Sequence, residues 1–315
     1  MPAVARTALI AALCWGGTAT AQVPRAPDGH PSLEGVWTNR SLTTLERRPI
    51  FKTLAIPAAQ AKAFETAADG RPPIADDVGQ KDTEWWEPGA TLARIGGEAR
   101  ASWIVEPADG RLPYTEAGLK RLAAAQAAAD LNFDGPEVRP GPERCLTALG
   151  GITGPPLLNG SYNAHHQIVQ TRDYVVIHSE MIHDVRIVPL TPTPPLPKAM
   201  RPITGDPAGR WEGDTLVVET RGFHPVASYR VPTRLYLSPD ARVTERFTRI
   251  SPSEIRYDFA VDDPVMFKQV WRAEMVLIRT ADPIYEYACH EGNYSLPGIL
   301  AGGRQTAREA AATAP

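Results

Sequence analysis

The strongest constraint on the fold is an alternation of apolar and polar residues between positions 241 and 261. Two alternating runs, 241–250 and 254–261, flank a Ser-Pro-Ser turn sequence. Because side chains alternate across a strand, this pattern predicts an antiparallel hairpin with one buried and one solvent face. The apolar face carries Val243, Glu245, Phe247, Ile255, Tyr257, Phe259 and Val261. Glu245 is the one acid on that face, which makes it a candidate catalytic residue.

Further strand patterns surround this hairpin, and helical patterns lie mainly before it. Strands are predicted at 165–171, 174–182, 185–190, 216–220, 271–279 and 284–289. Helices are predicted at 56–68 and from an N-cap at Thr115 to about residue 130. No β-α-β alternation is visible. We therefore expect an all-β fold with peripheral helices, namely an antiparallel, lipocalin-like barrel that is closed or nearly closed; a two-sheet sandwich is the alternative.

The N-terminus has the pattern of a secretory signal peptide. Arg6 supplies the positive charge, 8–15 the apolar run and Ala-Thr-Ala at 19–21 the cleavage site. We expect a periplasmic or secreted protein, with no membrane span elsewhere. The predicted organisation is a signal peptide (1–21), an irregular and helical segment whose 35–39 strand can join the barrel (22–142), the barrel (143–304) and a disordered tail (305–315).

Charge and cysteine content narrow the possible partners. The net charge is −3 and no long basic run occurs, so nucleic acid is not expected as a partner. A small-molecule substrate is expected, and the sequence does not indicate an oligomeric state. After export, Cys145 and Cys289 remain, and a disulfide is the favoured interpretation in an oxidising compartment. Two buried thiols, or a reactive Cys289 beside His290, are the alternatives.

The stretch 162–186 is the most informative one for function, because it holds four of the seven histidines. Two apolar, β-branched runs flank Arg172-Asp173, which is typical of a hairpin turn. A two- or four-residue loop there places Gln167 opposite His178 and His165 opposite Glu180 on one face. The other face then pairs Ile168 with Ile177. A three-residue loop would slip this register. We expect the polar face to line a ligand cavity inside the barrel.

Two chemistries suit these residues. In the first, a His165–Glu180 pair transfers protons and Arg186 or Tyr162 stabilises an oxyanion, without any cofactor. The candidate catalytic residues are His165, His178, Glu180, His183, Glu245 and His290, and the candidate binding residues are Tyr162, Asn163, Gln167, Asp184, Arg186, Trp85, Trp86 and Tyr287. In the second, His165, His178 and Glu180 bind Zn²⁺ or Fe²⁺. A third interpretation is a polar network that only satisfies its own members.

Several longer motifs resemble a family of uncharacterised exported bacterial proteins. The segments are ERC at 143–145, EMIHDVR at 180–186, GRWEGDTLVVET at 209–220, ERFTR at 245–249 and YEYACHEGNY at 285–294. Relatives in that family often carry asparagine near 164–166 and 178–179, where this chain has histidines. The resemblance therefore implies a common framework of Glu180, His183, Asp184, Arg186, His290 and Glu291, with the additional histidines tuning one particular reaction.

The sequence thus predicts an exported enzyme using His and Glu acid–base chemistry on a small ring-containing molecule in a barrel cavity. A lyase, an isomerase or cyclase, or a hydrolase would each suit these residues. Trp85 and Trp86 are expected either to pack under a long loop, which is the favoured interpretation, or to cover the barrel mouth or stack on a ring of the substrate. A lipocalin-like binding protein is one alternative, and a zinc- or iron-dependent hydrolase or oxygenase is the other.

Overall fold

A computed structural model describes residues 23–69, 87, 89–160, 162–230 and 233–313. The predicted signal peptide and Trp85 and Trp86 lie outside these ranges. No helix in the described ranges is long and apolar enough to cross a membrane. The α-helices are α1 (Ala58–Asp69), α2 (Glu116–Leu131) and α3 (Ser295–Thr313). The strands are β1 (Gly35–Thr38), β2 (Ala55–Ile56), β3 (Arg94–Ile95), β4 (Glu98–Arg100), β5 (Ile104–Glu106), β6 (His165–Gln170), β7 (Tyr174–Ser179), β8 (Val185–Pro189), β9 (Asp206–Glu212), β10 (Thr215–Arg221), β11 (Tyr229–Arg230), β12 (Leu235–Tyr236), β13 (Arg242–Ser251), β14 (Glu254–Asp262) and β15 (Trp271–Arg279).

The main sheet is antiparallel and curls into a nearly closed barrel, which confirms the predicted fold class. Its strand order is β8-β7-β6-β1-β15-β14-β13-β10-β9, and β5 adds to β15. The first and last strands meet at Gly209 of β9. A Cβ on Gly209 would lie 2.7 Å from Cγ1 of Val188 in β8, so only glycine permits this close approach. Two small sheets, β11-β12 and β2-β4-β3, lie apart from the barrel sheet.

The barrel interior is a packed core. The predicted hairpin of β13 and β14 has the predicted inner face, with Phe247 opposite Tyr257 and Glu245 opposite Phe259. Trp37 and Trp271 are also fully buried there. Each buried side chain of this kind contributes about 1.5–3 kcal/mol relative to an exposed one. The space that the sequence analysis assigns to a ligand is therefore largely filled by large side chains.

The segment before residue 143 contributes strands to the barrel rather than only wrapping it. β1 lies between β6 and β15, with Trp37 opposite both His166 and Arg279. The indole Nε1 of Trp37 donates to the carbonyl oxygen of Leu33 at 2.9 Å, which fixes the ring inside the barrel. Outside the barrel, the hydroxyl of Thr115 accepts from Gly118 N at 2.9 Å, so the predicted N-cap of α2 is confirmed.

The C-terminal region differs from the prediction in two respects. Residues 284–289 do not form a strand, because both edges of β15 are already occupied, by β14 on one side and by β1 and β5 on the other. Residues 280–289 instead form an irregular segment, here called the strap. The tail expected to be disordered from 305 is helical to Thr313, and Gln305 and Glu309 hydrogen-bond one helical turn apart.

Candidate functional site

The strand register predicted for the histidine-rich stretch is confirmed. Gln167 pairs with His178, and Ile168 pairs with Ile177. Beyond the ladder, Glu180 N donates to the carbonyl oxygen of His165 at 3.0 Å, so these two residues also face each other. β7 ends at Ser179, earlier than the predicted 182, because a 3₁₀ turn follows at Met181–His183.

The two faces of this strand pair are exchanged relative to the prediction. Ile168 and Ile177 point into the core, whereas Gln167 is exposed on the outer surface. His166 enters the barrel beside Trp37, and His165, next in the chain, points to the outer face because side chains alternate. The predicted polar face is therefore outside the barrel and does not line its interior.

His165 and Glu180 are nevertheless brought together and covered on that outer face. His165 Nδ1 lies 2.6 Å from Glu180 Oε2, and their side chains are only 7% and 2% exposed. The other carboxylate oxygen accepts from Asn163 Nδ2 at 3.1 Å and from Tyr285 N at 3.3 Å. Burial acts to raise the pKa of Glu180, but the hydrogen bonds from His165, Asn163 and Tyr285 outweigh it and lower that pKa. Glu180 is therefore a carboxylate at neutral pH.

The opposite side of the imidazole faces the strap. His165 Nε2 is buried and has no hydrogen-bond partner among the described residues. It lies 3.6 Å from Oδ2 of Asp282, whose side chain is 55% exposed. Arg40 contacts the same Oδ2 through Nη2 at 3.3 Å and also pairs with Glu87. The pKa of Asp282 is lowered by a hydrogen bond with Thr280 first, then by the charges of Arg40 and His165.

The strap is held across the site by a covalent bond and several hydrogen bonds. The predicted Cys145–Cys289 disulfide is present, with a Cα–Cα distance of 5.7 Å. His183 Nδ1 lies 3.2 Å from the carbonyl oxygen of Tyr287. A groove of about 460 Å³ lies beside the strap, and Asn163 forms part of its wall together with Tyr287 and the disulfide. Asn163, which also donates to Glu180, is the residue that the groove shares with the His165–Glu180 pair.

Two other predicted site residues, Arg186 and Glu245, form a fully buried ion pair inside the barrel. Arg186 Nη1 and Nη2 donate to the two oxygens of Glu245 at 2.6 and 3.1 Å. Tyr257 Oη donates to Glu245 Oε1 at 2.7 Å and accepts from Leu157 N. Burial first, and then the charge of Glu245, raises the pKa of Tyr257 well above its ordinary value. Both oxygens of Glu245 are thus occupied by protein donors.

His166 and Arg230 add further buried polar groups near this ion pair. His166 Nδ1 bonds Ser179 Oγ at 2.9 Å, and burial, followed by the nearby charge of Arg186, lowers the pKa of His166 to about 3. His166 is therefore neutral at physiological pH. Arg230 Nη2 donates to the carbonyl oxygen of Pro155 at 2.6 Å, and burial lowers its pKa to about 10. No local pattern marks Arg230 as a site residue, because it lies on a two-residue strand with no motif around it.

The other three histidines predicted as site residues are not part of the His165–Glu180 pair. His178 is partly buried on the outer face opposite Gln167. His183 is exposed in the 3₁₀ turn, where both it and Ile182 have left-handed backbone angles, with φ of 43° and 63°. This turn directs His183 to the strap rather than to His165. His290 is exposed beyond the strap.

Two predicted binding residues are buried enough to have shifted pKa values. Tyr162 hydrogen-bonds Tyr287, and burial, reinforced by Tyr287, raises the pKa of Tyr162 to about 12. Burial likewise raises the pKa of Asp184, although a hydrogen bond with Thr153 and the charge of Arg186 act against it. Both phenols and the Asp184 carboxyl therefore hold their protons more strongly than free side chains do.

The alternative metal site is not assembled in the part of the chain that the structure describes. No group of three or more His, Cys, Asp or Glu side chains there is arranged to hold a metal ion. His165 and Glu180 bond each other directly, and His178 does not complete a triad with them.

The site also contains groups that the sequence analysis does not identify. Arg40 follows β1 and Asp282 lies in the strap, so each is more than a hundred residues away from His165 in the chain. Asp282-Pro283 has the pattern of a turn, and nothing local distinguishes its carboxylate. Only the placement of β1 next to β6 brings Arg40 to this site.

In comparisons with known proteins, no family model, no curated protein and no solved structure matches the chain.

Proposed function

We propose that this chain is an enzyme that performs acid–base chemistry on a small organic molecule, with His165 as the group that transfers the proton. One observation carries the proposal: His165 is bound to Glu180 through Nδ1 at 2.6 Å, while its Nε2 is buried and has no hydrogen-bond partner in the described chain. A buried ring nitrogen without a partner is costly unless it has a use, and proton transfer to a ligand is such a use.

The chemistry follows from the hydrogen-bonding capacity of the two groups. An ionised carboxylate only accepts hydrogen bonds, so Nδ1 of His165 carries the ring proton and Nε2 carries the lone pair. Nε2 can then take a proton from a C–H or O–H group of the substrate, or in a hydrolysis from the water whose oxygen attacks the substrate, and Glu180 stabilises the imidazolium that forms. The proton passes next to another substrate atom in an isomerisation, or to the leaving group in an elimination or hydrolysis. Such a group typically contributes a factor of about 10²–10⁴ in rate.

Glu180 acts as a positioning residue in this scheme. Asn163 Nδ2 and Tyr285 N hold one of its oxygens, which leaves the other directed at His165. The carboxylate therefore cannot rotate away when the imidazole becomes charged. Its lowered pKa also keeps it ionised through the pH range in which histidine works as a base.

Location and substrate type form part of the same proposal. The N-terminal signal pattern and the Cys145–Cys289 disulfide support a periplasmic or secreted enzyme. A substrate would approach His165 along the strap, where the groove presents the side chains of Asn163 and Tyr287. An aromatic side chain in the wall suits a ring-containing molecule.

The test compares two substitutions on one face of the same hairpin, His165→Asn and His178→Asn. Purified wild-type protein is screened against libraries of small lactones, enol ethers, hydroxy acids and terpenoids for any turnover. We expect His165→Asn to lower kcat by roughly 10²–10⁴-fold, because the transferring group is lost, and His178→Asn to leave kcat within about twofold. Undiminished turnover in His165→Asn would contradict the proposal.

A further variant tests the role of Glu180. Glu180→Gln keeps the shape of the side chain but can donate to Nδ1, which moves the ring proton to Nε2 and removes the base. We expect a loss of kcat together with a changed pH–rate profile, whereas a purely structural role would leave the profile of the residual activity unchanged. Retention of ligands by the wild type, without turnover across the libraries, would favour the binding-protein alternative.

A further inference from the structure

A carboxylate of the protein itself occupies the open side of His165. Asp282 Oδ2 lies 3.3 Å from Arg40 Nη2 and 3.6 Å from His165 Nε2. The Asp282 side chain is on the strap, outside the barrel sheet, and is largely exposed. A carboxylate therefore lies between a guanidinium group and the ring nitrogen that the proposed function assigns to proton transfer.

Asp282 is held only loosely in this position. Its distance from Nε2 is longer than a hydrogen bond. Its one contact with Arg40 is a single bond, whereas Glu245 in the barrel receives two from Arg186 at 2.6 and 3.1 Å. A largely exposed ion pair of this kind stabilises little and exchanges readily with other anions.

Arg40, in contrast, is held in place without Asp282. Its other nitrogen, Nη1, pairs with Glu87, so the guanidinium keeps one anchor when Asp282 leaves. The freed Nη2 would face a new carboxylate beside His165 Nε2. Guanidinium groups match carboxylates in shape and charge, and the exchange of one carboxylate for another preserves the net charge of the site.

We propose that Asp282 is a placeholder for the carboxylate of the substrate, and that the site takes small organic acids. The carboxylate of the acid displaces Asp282 from Arg40, and the neighbouring atoms of the molecule come to His165 Nε2. This inference rests on the proposed function for the role of His165, but the binding step can be tested separately. Arg40 is then the residue that selects an anionic substrate over its neutral analogue.

The experiment measures acetate binding, since acetate is a small carboxylate with a neutral amide of similar shape. Acetamide and chloride are the controls, and the ionic strength is kept constant. The readout is the NMR signal of the His165 ring, which is assigned by its loss in His165→Asn. Removing a tethered competitor frees the site, so we expect Asp282→Ala to bind acetate roughly tenfold more tightly than wild type. Asp282→Asn, which keeps the shape of the side chain, is expected to behave in the same way. Acetamide and chloride should not reproduce the shift.

Two further variants make the outcome specific. Arg40→Gln combined with Asp282→Ala should abolish saturable acetate binding. Asp214→Ala is the matched control, because Asp214 is another exposed aspartate that pairs with an arginine, Arg25 at 3.0 Å. This variant should bind acetate as the wild type does, by the same NMR signal. Equal acetate affinity in wild type and both Asp282 variants would overturn the proposal, as would binding that persists without Arg40.

The results also separate this inference from the proposed function. Acetate binding that depends on Arg40, with full turnover retained in His165→Asn, would support the carboxylate site and refute the role of His165. Turnover that depends on His165, without any effect of Asp282 or Arg40 on acetate binding, would do the reverse.

Discussion

Glu180 and Glu245 are both buried carboxylates that a sequence-based analysis selects as catalytic candidates, but their surroundings differ. Glu245 receives two bonds from Arg186 and one from Tyr257, so no atom of this group faces an approaching molecule. Glu180 receives three bonds as well, but its partner His165 keeps a second ring nitrogen directed at the strap. The comparison shows that a buried charge alone does not identify a site. The proposed function therefore depends on a buried ring nitrogen that has no hydrogen-bond partner among the described residues.

The two carboxylates also differ in what they contribute to the fold. A buried ion pair in a packed interior gains Coulomb energy but loses hydration, so its net stabilisation is small. Removing one member is nevertheless costly, because the other charge remains buried. The Arg186–Glu245 pair therefore constrains how the barrel packs, whereas the His165–Glu180 pair lies on the outer face of the sheet, outside that packed core.

Removing the disulfide that anchors the strap should have the largest effect on the free energy of unfolding. The disulfide joins cysteines 144 residues apart, and in the chain-entropy model a loop of that length contributes about 5 kcal/mol. We expect replacement of Cys145 and Cys289 by serine to lower the free energy of unfolding in urea by about that amount. Amides of β13 that exchange only on global unfolding should accelerate by the full factor of the lost free energy, whereas exchange at Tyr285 N, which is bonded to Glu180, reports the local opening of the strap. A free energy of unfolding within about 1 kcal/mol of the wild-type value would contradict this expectation.

Breaking the interior pair should have the next largest effect. Glu245→Ala leaves Arg186 buried without its carboxylate, and we expect the free energy of unfolding to fall by about 3–5 kcal/mol. Glu212→Ala is the matched control, since Glu212 pairs with Arg210 and Arg246 on the exposed surface. Urea denaturation of both variants decides the matter: a loss for Glu245→Ala no larger than that for Glu212→Ala would show that the interior network does not constrain the fold.

The smallest expected effect is on the pH dependence of the free energy of unfolding. It involves Glu180 and Asp184, whose pKa values are shifted in opposite directions. The folded-state pKa of Glu180 is below its ordinary value of 4.5, so Glu180 contributes stability above that pH and loses it as the pH falls through the folded value. The destabilisation caused by Glu180→Gln should therefore be largest at neutral pH and shrink in acid. The folded-state pKa of Asp184 is above 3.8, so its contribution is present below that pH and is lost as the pH rises.

Asp184→Asn should accordingly become more stable relative to wild type as the pH rises above 3.8, which is the opposite trend. Urea midpoints at pH 3, 5 and 7 for wild type and both variants measure this. Parallel trends for the two variants would show that hydrogen bonding does not protect Glu180 in the way the structure indicates.

Much of the architecture could be predicted from local patterns. The alternation over 241–261 predicts the register and inner face of β13 and β14, and the histidine-rich hairpin has its predicted pairing. Thr115 begins α2 as expected, and the two cysteines that follow the predicted signal peptide are bonded. These features depend on neighbours in the chain, or on there being only one possible partner, so the sequence contains the necessary information.

The strap could not be predicted in the same way. Residues 284–289 have the pattern of a strand, but a strand needs a free edge, and the edges of β15 are taken by strands distant in the sequence. The same applies to Arg40 and Asp282, which meet only because β1 inserts beside β6 and the strap crosses that point.

The sequence by itself determined that β6 and β7 pair, and that His165 faces Glu180 on the opposite side from Ile168. Only the tertiary structure decided which side is inside. Both faces of this hairpin mix apolar side chains with histidine and glutamine, so alternation separates the faces without ranking them. Barrel closure settles the choice, because Trp37 of β1 enters the core next to His166 and Ile168, and His165 is left on the outer face beneath the strap.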